Sequence, residues 1–286
     1  MHPQSQVLGV DLSPVQPDFV PPNLSFQIDD IEEPWTYRQK FDFIYSRMMV
    51  GSLANVPRFF EQSFENLAPG GVLEMADITY PAKLNGGDIP EDLQLYKWSI
   101  LFTEACTKAG RNANCARLYR SQMETAGFTT VVEKTLMWPT NRWPKDKKLK
   151  EIGMWALENM EYGLEALSTS LFTRVLGWEK EELNAFLVGV RREMRDTRFH
   201  TYWDIIVVMV RSLSRHFPER RCSTQYADIR VISTCFLGES RSTSEFQARS
   251  ISEGRAHRRW GNTGYYIKPL AISCFGNELS SRREKK

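Results

Sequence analysis

Apolar residues recur in this chain first in short runs closed by acids, and later in long helical stripes. Val7–Val10 is a four-residue apolar run that ends at Asp11. It reads as a short buried strand. The segment 14–24, PVQPDFVPPNL, carries four prolines and predicts a connector, because proline cannot continue a helix. LSFQID (24–29) alternates and predicts a second strand, followed at once by Asp29 and Asp30. KFDFIYSR (40–47) predicts a third. Over 56–71, Phe59, Phe60, Phe64 and Leu67 fall at helical spacing, and Pro69-Gly70-Gly71 is expected to stop that helix. VLEMADI (72–78) predicts a fourth strand. This succession predicts an α/β domain with a mostly parallel sheet.

Farther on, helices are expected over 89–110 and over 115–128, the latter ended by Gly127. TTVVEKTLMWP (129–139) is rich in β-branched residues and predicts a strand. Amphipathic helices are expected over 148–168 and 179–196. The second has acids early and arginines late, which complements the helix dipole. HTYWDIIVVMVR (200–211) is apolar enough to be an internal strand. Beyond it the periodicity fails, and only Arg230–Leu237 reads as a strand.

Composition sharpens that break. Residues 1–211 carry a net charge of −5 and residues 212–286 one of +7, with 12 Ser, 11 Arg and three of the five Cys in the latter. Two units are therefore expected: a folded domain over 1–211, incomplete at its N-terminus, and a basic Ser/Arg-rich tail over 212–286 that is disordered or a gene-model artefact. The cysteines show no C-x-x-C or zinc-type spacing, so reduced thiols of an intracellular protein, in cytoplasm or nucleus, are expected and no metal is called for. No secretory leader and no apolar stretch of bilayer length is evident, so no membrane role is expected. KDKKLK (145–150) and the Arg-rich tail lack aromatic stacking partners and read as solvated faces, so no nucleic acid is expected either.

Three strand ends carry candidate chemistry, since open parallel sheets bind ligands at the carboxyl ends of their strands. Asp11 is placed to accept from two ribose hydroxyls. Asp30 is placed to accept from an adenine amino group, with Ile31 against the ring. Arg47 would hold a cofactor carboxylate or pair with Glu74. Each acid alone is more often a cap or turn residue; together, followed by LAPGGVLEMADI and AGF, they become specific. His200 is a weak candidate base and otherwise a turn residue. Tyr96, Trp98 and Trp155 would line an acceptor pocket or fill the core.

The stretches VLGVDLSPVQP, PNLSFQIDDIEEPW, FDFIYSRMMVGSLANVPRFFEQSFENLAPGGVLEMADI, MWPTNRWPKD, LGWEKEELNAFLVGVRREM and HTYWDIIVVMVR, in that order, resemble class I S-adenosylmethionine-dependent methyltransferases, and within them the fungal LaeA-type family of secondary metabolism. The resemblance implies a Rossmann-like sheet with helices on both faces. It implies S-adenosyl-L-methionine as cofactor, a small-molecule methyl acceptor and, in a regulatory alternative without catalysis, a velvet-type protein partner. It also implies a first strand and a Gly-rich loop ahead of Val7, the strand lying between those that end at Asp11 and Arg47. Only six residues precede Val7, so that strand and loop are expected to be missing. The resemblance also implies an end shortly after the last strand, so a missing start and an added tail are expected to reflect a flawed gene model more than two evolved novelties.

Overall fold

A computed structural model describes residues 5–14, 19–212 and the backbone of 230–233. In chain order the strands are β1 (Val7–Asp11), β2 (Leu24–Ile28), β3 (Phe41–Arg47), β4 (Leu67–Leu84), β5 (Thr129–Pro139), β6 (Thr201–Arg211) and β7 (Arg230–Ser233). The helices are α1 (Val56–Asn66), α2 (Gln94–Lys108), α3 (Tyr119–Thr125), α4 (Lys147–Ser170) and α5 (Lys180–Arg195). The seven strands form one sheet in the order β2-β1-β7-β3-β4-β6-β5. The pairs from β2 across to β4 are parallel, and β6 runs antiparallel to both its neighbours. The expected internal place of the 200–211 strand is thereby met.

The middle of the sheet differs from expectation. The place between β1 and β3 is filled by β7, from beyond the composition break. Its register sets Gly9 opposite Ile232, and Phe43, Ile44, Tyr45 and Ser46 opposite Arg230 to Ser233. The ends to be joined are close. Arg211 lies opposite Val72, Val72 opposite Phe43, and Phe43 opposite Arg230, all at one end of the sheet. Crossing three strands at about 4.8 Å each needs about 14 Å, and the 17 residues between Ser212 and Arg230 reach several times that. Expected disorder of the rest of the tail falls on residues outside those described.

The helix expected over 56–71 ends at Asn66, because Leu67 already joins the sheet opposite Phe41. Pro69-Gly70-Gly71 forms an irregularity inside β4 and not a helix stop. Gly70 takes φ +83°, and a Cβ on Gly71 would lie 2.9 Å from the carbonyl oxygens of Phe41 and Ala68. Glycine is required there by close backbone approach. The 89–110 helix starts only at Gln94, after the turn that bonds Leu93 N–H to the Pro90 carbonyl. The 115–128 segment splits into a 3₁₀ turn (Cys115–Leu118) and α3.

α2 packs on β4 and α5, α4 on β5 and α5, and α3 on α1, β5 and β6. Trp98, Trp203, Phe41, Phe59, Phe60, Phe102, Phe172 and Tyr119 are fully buried. Trp98 is therefore core, with its indole N–H donating to Ser168 Oγ at 2.9 Å, whereas Trp155 is 45% exposed on α4.

Candidate active site

The carboxyl ends of the parallel strands bring Asp11, Asp30 and Arg47 to one edge of the sheet. Asp11 closes β1. Its Oδ1 accepts from Ser13 N–H at 2.9 Å, and its Oδ2 is buried with no hydrogen-bond partner among the described residues. Burial raises the Asp11 pKa, offset in part by the Ser13 and Leu12 amides. A buried acceptor without a donor is costly and marks a place where a ligand hydroxyl would be welcome.

The next acid pair is built differently. Asp29 is exposed and used locally: its Oδ1 accepts from Asp30 N–H and its Oδ2 from Gln27 Nε2. Asp30 is half-buried, and its Oδ1 accepts from Glu32 N–H at 2.9 Å in a tight Asx turn. That turn aims the carboxylate and leaves Oδ2 as an acceptor. Ile31 is 7% exposed and packs in the main core, so little of its side chain is open to a ring. Its carbonyl accepts from Trp35 Nε1 and Gln62 Nε2, which fixes the backbone of this wall.

Arg47 ends β3 opposite Ala76. The chain then turns sharply, with Met48 at φ +53°, an uncommon conformation for a residue with a side chain. β7 stands between the strands carrying Asp11 and Arg47. His200 is not part of this cluster. It precedes β6, whose first residue pairs with Leu84, eight positions along β4 from the partner of Arg47. There His200 is exposed and stacks on Trp143 with ring centroids 4.8 Å apart.

Two groups absent from the sequence reading hold the walls together. Glu32 Oε1 accepts from the amides of Ala54 (2.7 Å) and Asn55 (2.9 Å), and its Oε2 from Arg111 Nη1 (3.1 Å). The same Arg111 nitrogen donates to the Ser52 carbonyl at 2.6 Å. Glu32 thus ties the turn after β2 to the segment after β3, in a partly buried setting where such bonds outweigh surface pairs. Asp77, on β4, is fully buried and accepts from Met49 and Val50 amides and from the Tyr119 hydroxyl. Its pKa is pushed up to about 7, chiefly by burial. The one sequence signal for it was an acid late in the apolar run VLEMADI.

The described residues hold no cluster of His, Cys, Asp and Glu suited to a metal, and no described helix is long and apolar enough to cross a membrane. The strand order and the antiparallel β6 are those of the class I methyltransferase fold. Residues 2–133 match the family model described as a methyltransferase domain. The chain is 36% identical over 209 residues to methyltransferase pytC of Aspergillus terreus, covering 73% of this chain and 64% of that protein. It is 36% identical to the probable methyltransferase tdiE of Emericella nidulans, covering 72% of this chain and 65% of that one. It is 34% identical to the secondary metabolism regulator LAE1 of Cochliobolus heterostrophus, covering 70% and 67%. The chain belongs to the fungal LaeA-type methyltransferase family, and it spans just under two thirds of the length of pytC and tdiE.

Proposed function

We propose that this protein binds S-adenosylmethionine and methylates a small-molecule acceptor in fungal secondary metabolism. The observation that carries the reading is the buried Oδ2 of Asp11, unpartnered among the described residues, at the carboxyl end of a parallel strand, beside the Asx-turned Asp30. The residues present fit the nucleoside part of the cofactor. Asp11 would accept from ribose hydroxyls, and Asp30 from the adenine amino group. Arg47 would face the amino-acid carboxylate. When bound, the cofactor supplies an electrophilic sulfonium methyl. The chain's contribution is then positioning: fixed walls hold a nucleophile in line, which is a large part of such a rate enhancement.

The relatives pytC and tdiE, named as methyltransferases, support an enzyme. The relatives named as secondary metabolism regulators favour a second reading, a regulatory protein; the velvet-type partner expected for it rests on the family resemblance alone. Cys106 and Cys115 are buried free thiols, which supports a site inside the cell, in cytoplasm or nucleus.

Calorimetric titration of the full chain with S-adenosylmethionine, alongside Asp11→Ala, tests this. Saturable binding that the substitution abolishes is expected. Absence of binding by the folded wild-type chain would refute the cofactor site and leave the regulatory reading.

A further inference from the structure

We propose that Asp77 is a positioning residue of the candidate site: its carboxylate fixes the turn Met48–Ser52 that leads the chain away from Arg47. This inference rests on the cofactor reading above for its consequence, but the contacts behind it are independent of any ligand.

Immediately after Arg47 the backbone enters the left-handed region at Met48, and again at Gly51 (φ +74°). Such a path persists only when its surroundings over-determine it. Four backbone contacts do so here. Met48 N–H donates to the Ala76 carbonyl at 3.0 Å. Met49 and Val50 N–H both donate to Asp77 Oδ1, at 2.6 and 3.2 Å. Ser52 N–H donates to the Met49 carbonyl at 2.9 Å. Asp77 thus meets two consecutive amides of this turn with one carboxylate oxygen.

The other oxygen of Asp77 accepts from the Tyr119 hydroxyl at 2.5 Å, and that hydroxyl lies 3.3 Å from Cys115 Sγ. The titratable groups around the carboxylate are Tyr119 from α3, Cys115 from the 3₁₀ turn and Tyr80 from β4. All three have pKa values raised by burial, so they stay neutral near pH 7. No described lysine, arginine or histidine forms an ion pair with Asp77. The carboxylate is solvated by hydrogen-bond donors alone.

The consequence is a division of labour between charge states. Ionised Asp77 makes charge-assisted bonds to both amides, roughly twice as strong as neutral ones. Protonated Asp77 must use one oxygen to donate, toward Tyr119, and holds the amides with a neutral carbonyl. The turn therefore tightens as pH rises through neutrality, although a buried charge is costly to the fold as a whole.

Asp77→Asn separates the two effects, because the amide keeps an acceptor for Met49 and Val50 and a donor for Tyr119 but carries no charge. Three readouts are taken on the full chain, wild type and Asp77→Asn, at pH 6 and 8: S-adenosylmethionine affinity, hydrogen exchange of the Met49 and Val50 amides, and urea unfolding. At pH 8 the variant is expected to bind about tenfold more weakly and to lose amide protection while unfolding at higher urea. Its affinity should change less between pH 6 and 8 than that of the wild type, the cofactor's own α-amino group titrating alike in both. A merely structural role would move protection and global stability together. Unchanged amide protection in Asp77→Asn overturns the proposal, and so does an affinity profile identical to the wild type. Wild-type protein that binds no cofactor, with amide protection still lost in the variant, would refute the cofactor reading and leave the hold of Asp77 on the turn standing.

Discussion

Gly153 and Gly163 lie in the same helix, α4, yet alanine at the two positions should have opposite effects. In an exposed or unobstructed helix interior, Gly→Ala stabilises by about 1 kcal/mol through backbone entropy. At Gly163 the nearest atom to an added Cβ is Leu167 Cδ1 at 3.9 Å, an ordinary contact, so the entropic gain should appear in full. At Gly153 the added carbon would lie 1.9 Å from the Asn141 carbonyl oxygen and 2.7 Å from its carbon. Relief needs a shift of more than about 1 Å in a backbone that cannot yield easily. Asn141 is pinned by its own side chain, which donates to the Met194 and Asp196 carbonyls and accepts from Trp143 N–H. Overpacking against flexible side chains costs about 1–3 kcal/mol, and against anchored backbone the upper end or beyond is expected. The net for Gly153→Ala is therefore a loss of about 2–4 kcal/mol, against a gain of about 0.5–1 kcal/mol for Gly163→Ala. Urea denaturation followed by far-ultraviolet circular dichroism measures both. If Gly153→Ala matched or exceeded wild-type stability, the docking of α4 against the β5 end as described would be wrong.

Other consequences are as direct. Asp77 has a pKa raised from 3.8 to about 7, so folding favours its neutral form. Its contribution is fully present below pH 4 and is lost as pH rises through 7, a swing of at most about 4 kcal/mol. The wild-type urea midpoint should fall across that window more than that of Asp77→Asn; equal slopes would contradict the assignment. Glu32→Ala removes one partner of the partly buried Arg111, which keeps the Ser52 carbonyl, and leaves the exposed amides of Ala54 and Asn55 to water. It should cost about 1 kcal/mol and loosen the segment after β3, seen as faster hydrogen exchange at 52–55. Ile232→Pro removes an amide donor from a strand flanked on both sides and should cost about 3 kcal/mol or more. An unchanged melting temperature would show that β7 does not hold the sheet.

Much of the architecture was legible because the hydrophobic rhythm is clean. The 129–139 strand matches its element at both ends, and α4, α5 and β6 differ from their expected ranges by a residue or two. The departures have local causes. Leu67 was given to a helix on its spacing, but its pairing with Phe41 draws it into β4. Phe26 and Ile28 alternate like core residues yet are exposed, because β2 is an edge strand with nothing described over it. At the site, Asp11 and Asp30 stood out because acids that close apolar runs are conspicuous. Asp77 and Glu32 did not, because their partners are backbone amides 22 to 28 residues away, which no spacing rule reports. That Arg230–Ser233 would take the place of the missing first strand was not legible for a related reason: a short run read as a strand carries no signal of where it pairs.

The placement of β7 bears on how the chain is born. Gly9 and Ile232 are neighbours in the sheet but 223 positions apart in the sequence. The first two strands leave the ribosome early, and β3 soon after, yet the strand that joins them is made about 185 residues after Arg47. At ordinary elongation rates of about 5–20 residues per second, the inner edges of β1 and β3 wait roughly 10–40 s for their partner. During that time each presents open backbone donors and acceptors, the surface that recruits wrong partners. Assembly of this sheet is therefore a late, long-range closure, slow by topology, and its nascent form is a natural client for chaperones.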